Sequence, residues 1–183
     1  MPDSKYLIVG SVGVFNERKA HDVFVGAIPH IIAKNPKARF VIIGDGPERL
    51  NVEKLAIELD VRRFIHFAGR LDDKARDAER RKWTVYVQSS RDESFGIAAA
   101  ESLAIGIPVV ATNVGGLPEV VDGGGLIVGK EDPKALADAV LRLLGKRKLR
   151  DKLAKTGQKH VRKNYDLNQV VLRIENVYRQ VLA

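Results

Sequence analysis

The sequence predicts an α/β fold in which a mainly parallel β-sheet is covered by helices on both faces. Apolar, β-branched runs of the length of buried strands alternate along the chain with segments of helical periodicity. Strands and helices in this alternation form parallel sheets, because each helix returns the chain to the same edge of the sheet through a right-handed crossover. The chain has 183 residues, enough for one domain with a substantial core. A single domain, residues 1–183, is therefore expected.

The predicted strands and helices follow one another in a regular order. Strands are expected in KYLIVGSVGVF, ARFVIIG, RFIHFAG, TVYVQSS, IPVVAT and GLIVG. Between them, helices are expected in HDVFVGAIPHIIAKN, RLNVEKLAIELD, DKARDAERRKW and the stretch from Phe95 to Ile105. Pro29 should bend or break the first helix, whereas Pro47 can open the second. Three helices should close the chain, in DPKALADAVLRLLGK, RKLRDKLAKTGQKHVRKN and LNQVVLRIENVYRQVLA.

The composition favours an anionic ligand and excludes several kinds of site. Lysine and arginine total 31 against 23 aspartates and glutamates, a formal net charge of +8, which favours partners such as phosphates. Much of the excess lies in RRKW and GKRKLRDKLAKTGQKHVRKN, on helical faces expected to be solvated. The absence of cysteine excludes disulfides, thiolate metal sites and cysteine nucleophiles. Because the sequence shows neither a secretory signal pattern nor an apolar stretch of about 18 residues, a cytoplasmic protein is expected.

The loops that follow the predicted strands are where a ligand should bind. In open α/β sheets, ligands lie in the crevice outside the carboxyl ends of the strands. The useful residues are therefore expected in the loops 13–19, 44–47, 69–71, 89–96 and 112–119.

Glu101 is the residue that most needs explaining. The segment FGIAAAESLAIG is apolar nearly all the way round, and such a helix is usually buried. Glu101 shares a stripe with Ile97 and Ile105, so it should point where they point. A buried carboxylate requires hydrogen-bond donors, either from the protein or from a ligand. The vicinal hydroxyls of a ribose are the common ligand donors at this edge of an α/β sheet.

The start of the same helix is a candidate anion site. If the helix begins near Phe95, free amide groups at Ser94 to Ile97 can bind an anion, and Gly96 allows a close approach of the backbone. Glu101 would lie about 9 Å further along the axis, a spacing that suits a nucleoside diphosphate laid along the helix. Glu93 would stand beside whatever the distal phosphate carries. The alternative is that Glu93 is simply stabilised by the helix dipole.

These residues also resemble a known family. ESFGIAAAE has the E-x7-E form of retaining GT-B glycosyltransferases, and SLAIGIPVVATNVGGLPEVV resembles the segment that follows it in glycosyltransferase family 4, also called group 1. Similar segments are FVIIGDGPE, IHFAGRLDD, TVYVQSSRDESFG and DPKALADAVLRLL, so the resemblance covers almost the whole chain. It implies that residues 1–183 are the C-terminal, Rossmann-like, nucleotide-sugar-binding half of a GT-B enzyme whose N-terminal acceptor domain is absent.

The resemblance also implies roles for individual residues. Two would be catalytic: Lys19, paired with the donor diphosphate, and Glu93, which would hold the transferred sugar. Glu101 would bind the ribose. The remaining donor contacts would come from the backbone of Phe95, Gly96 and Ile97 at the distal phosphate and sugar, and from Gly69, Arg70 and Leu71 at the base.

The first loop departs from the family pattern. The family's first strand usually ends in a Gly-Arg pair whose arginine assists the lysine at the diphosphate. In GSVGVFNERKA that place is taken by Val14, or by Gly13 if the loop is one residue longer. Arg18 is the candidate substitute. His21 is the histidine nearest to Lys19 in sequence, and the four histidines do not have the spacing of metal ligands.

The predicted function is that of the donor-binding domain of a retaining, metal-independent glycosyltransferase that uses a nucleotide-diphosphate sugar as substrate and needs no cofactor. The chain contains no Asp-x-Asp, the metal-holding pair of the other large glycosyltransferase fold. The isolated domain should be inactive in transfer. The alternatives are a noncatalytic nucleotide-sugar or polyanion-binding module, and a GT-B nucleotide-sugar epimerase or disaccharide phosphorylase.

Further expectations concern partners. The N-terminal acceptor domain is the expected protein partner, peripheral contact with a membrane is an alternative use of the basic helices, and no nucleic acid is expected. The last helix carries an apolar stripe that should pack against the N-terminal half or, alternatively, cover the sheet. Glu119 should either cap a helix or contact the ligand. The stripe consists of Leu167, Val170, Val171, Ile174, Val177, Tyr178 and Val181.

Overall fold

The computed structural model describes residues 6–182. Its strands are β1 Leu7–Val12, β2 Ala38–Ile43, β3 Ile65–Gly69, β4 Val85–Gln88, β5 Val109–Thr112 and β6 Gly125–Val128. They form one sheet in the order β3-β2-β1-β4-β5-β6, and neighbouring strands run parallel throughout. The predicted α/β fold is confirmed, and in the described residues the sheet is wholly rather than mainly parallel.

The helices also follow the predicted order, with two differences. They are α1 His21–Lys34, α2 Arg49–Glu58, α3 Asp73–Arg80, α4 Ile97–Ala104, α5 Leu117–Val121, α6 Pro133–Gly145, α7 Arg147–Tyr165 and α8 Leu167–Leu182. Of the two outcomes expected at Pro29, a bend or a break, the break is wrong, because α1 continues through the proline. Its buried face, which includes Phe24, Ile28 and Ile31, holds the helix against the sheet despite the hydrogen bond lost at the proline. The short helix α5 was not predicted.

Two apolar layers lie on opposite faces of the sheet, as the alternation of strand side chains requires. In β2, Phe40 and Ile42 face a layer formed with α1, α2 and α6, whereas Val41 and Ile43 face a layer formed with α4, α5 and α7. The sheet is therefore buried on both faces, and its carboxyl edge is left as the place where loops can bind a ligand.

The strand order places two loops side by side. The chain proceeds from β1 outward to β2 and β3, and then returns to place β4 on the other side of β1. At such a reversal the loops after the two central strands diverge and leave a crevice between them. Here these are the loops 13–20 and 89–96, which contain Lys19 and Glu93.

The last helix, α8, packs against α7 and has no buried residue. The alternative that α8 covers the sheet is therefore wrong. Most of its apolar side chains are exposed, among them Leu167, Val171, Leu172, Ile174, Val177, Tyr178, Val181 and Leu182. Among residues 6–182, no helix has the length and apolar character needed to cross a membrane.

Candidate functional site at the carboxyl edge of the sheet

Lys19 and Glu93 form an ion pair across the crevice. Asn16 caps the 3-10 turn Glu17–Lys19, because its Oδ1 accepts a hydrogen bond of 3.0 Å from the backbone N–H of Lys19. The turn directs Nζ of Lys19 to Oε2 of Glu93, to which it donates. The side chain of Glu93 is only 11% exposed and that of Lys19 27%. The structure thus brings together the two residues for which the sequence predicts a catalytic role.

A buried polar network holds Glu93 from the side of the sheet. Nε2 of Gln88, at the end of β4, donates to Oε2 of Glu93 at 3.1 Å and to Oγ of Ser90 at 2.7 Å. The hydroxyl of Tyr86 donates to Oε1 of Gln88. Burial and the negative charge of Glu93 raise the pKa of Tyr86, so its hydroxyl keeps the proton that it donates. The orientation of Glu93 is therefore fixed before any ligand binds.

Arg91 ties the loop that contains Glu93 to the loop that contains Lys19. Its guanidinium donates to both carboxylate oxygens of Asp22, at 3.0 and 2.6 Å, and to the backbone oxygen of Glu17 at 3.0 Å. Its backbone N–H donates to the oxygen of Arg18 at 2.8 Å. Burial acts to raise the pKa of Asp22, but the hydrogen bond and charge of Arg91 outweigh it and lower that pKa. A bidentate pair of this kind fixes direction as well as distance.

Glycines allow a third loop to support the same site. Gly115 has φ of 50°, and a Cβ at this residue would lie 1.6 Å from the backbone oxygen of Glu93. The N–H of Gly116 donates to that oxygen at 3.3 Å. Gly96, with φ of 96°, touches Leu117, and a Cβ there would lie 2.6 Å from Cδ2 of the leucine. The loop before α5 therefore packs directly on the backbone around Glu93.

The helix α4, which follows the loop that contains Glu93, begins later than predicted. α4 starts at Ile97, not near Phe95, because Gly96 adopts a left-handed conformation that cannot continue a helical turn. The backbone N–H groups of Ala99 and Ala100 donate to the oxygen of Gly96, both at 3.0 Å. In the described residues, the N–H groups of Ile97 and Ala98 have no such acceptor, as is usual at the start of a helix. Phe95 and Ile97, predicted to line the donor, are 38% and 67% exposed.

Glu101 is not buried, which corrects the prediction. The buried residues of α4 are Ala99, Ala100, Ser102 and Leu103, whereas the side chain of Glu101 is 40% exposed. The stripe shared with Ile97 faces a cavity of about 690 Å³ between α4, α7 and α8, so the helix is covered on one side only. The carboxylate has a protein partner: the guanidinium of Arg80 donates to Oε2 at 2.8 Å.

The other predicted donor contacts lie on neighbouring loops. The N–H of Gly13 donates to the backbone oxygen of Ile43 at 3.0 Å, and Val14, which follows, is 51% exposed. Arg18 pairs with Asp92 at 2.9 Å, so it reaches the loop of Glu93 without touching Glu93 itself. At the end of β3, the predicted base-binding residues are Gly69, which has φ of 69°, the exposed Arg70 and the half-buried Leu71.

Two further residues named in the sequence analysis, His21 and Glu119, contact other side chains of the protein. His21 is buried and stacks on Phe15, with 4.4 Å between ring centroids and 12° between ring planes. In the described part of the chain, neither ring nitrogen has a hydrogen-bond partner. Glu119 lies in the first turn of α5 and accepts a hydrogen bond of 3.3 Å from the hydroxyl of Tyr165, but its side chain does not cap the helix.

The stability of the protein is expected to fall below about pH 6.5, because His21 is neutral in the fold. Burial and the charge of Lys19 lower the pKa of His21 from 6.5 to about 4. The unfolded state therefore binds more protons between these values, and the free energy of unfolding should decrease by up to about 3 kcal/mol across that window. Urea unfolding at neutral and acidic pH should show a smaller loss for His21→Phe than for the wild type; equal losses would contradict the expectation.

Several residues of this site were missed by sequence reasoning. Gln88 had a signal, since it is a polar residue at the end of an otherwise apolar strand. Arg80 and Arg91 had none, because charged residues are common in helices and loops.

Among residues 6–182, no three histidine or carboxylate side chains gather as a metal site would require, and metal independence stays a prediction.

Comparison with known proteins shows that the sequence matches the model of one protein family. The family model described as Glycosyl transferases group 1 matches residues 2–160. Phosphatidyl-myo-inositol mannosyltransferase of Mycobacterium leprae (strain TN) is 33% identical over 175 residues, 93% of this chain and 46% of that protein. An uncharacterized glycosyltransferase of Methanocaldococcus jannaschii is 32% identical over 172 residues, 93% of this chain and 47% of that protein. The chain thus spans slightly under half the length of these relatives.

Solved structures show the same fold. The C-terminal domain of a glycosyl transferase group 1 family protein from Francisella tularensis has a TM-score of 0.80 and 27% identity, over 88% of this chain and 87% of that one. Anabaena HepE in complex with UDP-glucose has a TM-score of 0.86 over 96% of this chain and 49% of that one. At 18% identity, the second likeness concerns the fold alone. The Rossmann-like fold predicted from the sequence is confirmed.

Proposed function

Because this chain belongs to the glycosyl transferases group 1 family, a family of GT-B glycosyltransferases, we propose that residues 1–183 are the donor-binding domain of a retaining, metal-independent glycosyltransferase. The observation that carries the proposal is the ion pair of Lys19 with Glu93 at the point where the strand order reverses. An acceptor-binding domain would be supplied by sequence outside these residues. This agrees with relatives about twice as long.

The donor would lie along the edge from the crevice to α4. The diphosphate would lie between Nζ of Lys19 and the first amides of α4, where a cation and a helix N-terminus both favour negative charge. Glu93 would accept hydrogen bonds from the transferred sugar. Glu101 lies one turn inside α4, about 6 Å along the axis from Ile97, and would accept the ribose hydroxyls.

The chemical step would break the bond between the anomeric carbon of the sugar and the diphosphate oxygen. Negative charge grows on that oxygen as the bond breaks, so Lys19 and the amides of α4 would bind the transition state more tightly than the ground state. The oxygen of an acceptor hydroxyl would form the new bond to the anomeric carbon with retention of configuration, and its proton would leave with the diphosphate. The acceptor would bind to the domain outside these residues, so the isolated domain should transfer no sugar.

Calorimetric titration with UDP, GDP and ADP and their sugars tests this function. The wild type is expected to bind one of the three series saturably, and Glu101→Gln should weaken that binding by about tenfold, because a neutral amide replaces the charged acceptor. Glutamine is preferred to alanine because it still offers Arg80 an acceptor. Saturable binding that Glu101→Gln leaves unchanged would contradict the assignment.

The alternative of a polyanion-binding or membrane-surface module predicts a different result in parallel titrations. It rests on a basic face of α7, where a cavity of about 610 Å³ is lined by Lys155, Lys159, Arg162 and Lys163. Binding to this face would extend to heparin and to vesicles of anionic lipid, and would weaken steeply with salt. Such binding without saturable nucleotide binding would favour the alternative over the donor domain.

A further inference from the structure

Arg80, at the end of α3, is a buried guanidinium with few partners. Its side chain is 2% exposed. In the described residues its ion-pair partners are Glu101, at 2.8 Å, and Asp77, at 3.8 Å, while its Nε has no hydrogen-bond partner. A buried charge is stable only when it is paired. The direct hydrogen bond to Glu101 is therefore the main compensation for burying Arg80.

Arg80 is buried near two aromatic side chains, and its backbone oxygen accepts a hydrogen bond of 2.9 Å from the N–H of Trp83. Trp83 and Tyr86 stack with 7° between their ring planes and are both buried. The charge of Arg80 acts on the same Tyr86 hydroxyl as the charges of Glu93 and Glu101. Arg80 thus lies among the groups of the proposed donor site, on its protein side, where solvent does not reach.

The pair leaves part of the Glu101 carboxylate free. Arg80 binds Oε2, and in the described residues no donor binds Oε1. The side chain is 40% exposed and lines the cavity beside Phe95 and Ile97. One end of the carboxylate is therefore fixed by the protein, whereas the other end can accept a hydrogen bond from a ligand.

We propose that Arg80 is a positioning residue that fixes the carboxylate of Glu101 for the ribose hydroxyls of the donor, an inference that rests on the proposed function. A free glutamate side chain loses conformational entropy when it is ordered. Arg80 orders Glu101 before the nucleotide arrives, so less of that entropy is lost on binding.

A purely structural role for the pair makes a different prediction. If Arg80 only tied α3 to α4, its loss would weaken the fold and would affect all nucleotides equally. If it positions Glu101, its loss should affect only nucleotides that carry the ribose hydroxyls. The comparison of a nucleotide with its dideoxy form therefore separates the two roles.

The experiment measures this ribose preference by calorimetry. The nucleoside diphosphate that binds most tightly among UDP, GDP and ADP is compared with its 2′,3′-dideoxy form, for the wild type, Arg80→Met, Arg80→Lys and Glu101→Gln. Arg76→Met is the matched control, because Arg76 lies one turn earlier on α3 and pairs with Asp73 at 2.8 Å instead. Thermal unfolding of each variant establishes that it is folded.

The wild type and Arg76→Met are expected to prefer the ribose form by about tenfold. Arg80→Met and Glu101→Gln should lose most of this preference, while binding of the dideoxy form stays within about twofold of the wild type. Arg80→Lys keeps the positive charge but not the planar guanidinium, so its preference for the ribose form should be intermediate. This variant replaces Arg80→Met in the comparison if Arg80→Met does not fold.

Two results would overturn the inference, and they are distinguishable. If Glu101→Gln loses the ribose preference while Arg80→Met and Arg80→Lys retain it, Arg80 has no positioning role although the proposed function stands. If the wild type binds none of the three nucleotides, the proposed function fails and the role of Arg80 fails with it.

Discussion

Lys19→Met is expected to weaken nucleoside diphosphate binding by between about tenfold and about a hundredfold. Lysine donates a charge-assisted hydrogen bond that methionine cannot, and such bonds contribute about 1.5 to 3 kcal/mol. Methionine keeps most of the stem of the side chain, so the packing around the turn that Asn16 caps should change little. Titration with UDP, GDP and ADP measures the loss.

Lys34→Met is the control for this substitution. Lys34 ends α1, is 70% exposed and pairs with Asp138 at 3.6 Å, so it carries the same charge away from the crevice. Its loss should change the affinity by less than about twofold at moderate ionic strength, because exposed charges more than about 10 Å apart are screened. Equal losses of affinity in both variants would show that net charge, not the crevice, binds the nucleotide.

Gly115→Ala is expected to lower the free energy of unfolding by about 3 kcal/mol or more, and to abolish nucleotide binding. The left-handed backbone at Gly115 disfavours any Cβ, and this Cβ would meet the backbone oxygen of Glu93 at 1.6 Å. A backbone atom cannot move aside as a flexible side chain can. The loop before α5 must therefore separate from the loop that carries Glu93.

Gly145→Ala provides the comparison for the Gly115 variant. Gly145 is the last residue of α6, has an ordinary negative φ, and no atom lies within 4 Å of the position that its Cβ would take. Alanine favours a helix by up to about 1 kcal/mol over glycine, so this variant should be as stable as the wild type or slightly more stable. Chemical denaturation of both proteins gives the two values. Similar unfolding midpoints would show that the contact of Gly115 with Glu93 does not hold the site.

The fold was predictable because its signals are periodic and local. Each strand is a short β-branched run, and each crossover helix shows an apolar face that the sheet needs. The prediction failed where tertiary packing, and not the local sequence, determines the structure. Pro29 stays inside α1 because the buried side chains around it hold the helix, and α5 is too short for its periodicity to be recognised.

The site was predictable in its position but not in its contacts. The loop rule for parallel sheets placed Lys19 and Glu93 at one edge, and the structure pairs them. The burial of Glu101 was wrong because one face of α4 borders a cavity, which depends on where α7 and α8 lie. The partnership of Glu101 with Arg80 depends on the rotation of α3 relative to α4, a tertiary property that residue types do not encode.

Because Lys19 and Glu93 pair with each other, their opposite charges compensate one another within the crevice. A ligand that takes only the lysine, such as free phosphate, leaves the carboxylate of Glu93, which is 11% exposed, with Gln88 as its remaining donor among the described residues. A ligand that takes only the carboxylate, such as a free sugar, competes with an ammonium group already in place. A molecule that presents an anion and hydroxyl groups together offers a new partner to both residues at once. The crevice should therefore discriminate against fragments and favour intact conjugates of a sugar and a phosphate, before any contact with a base is considered.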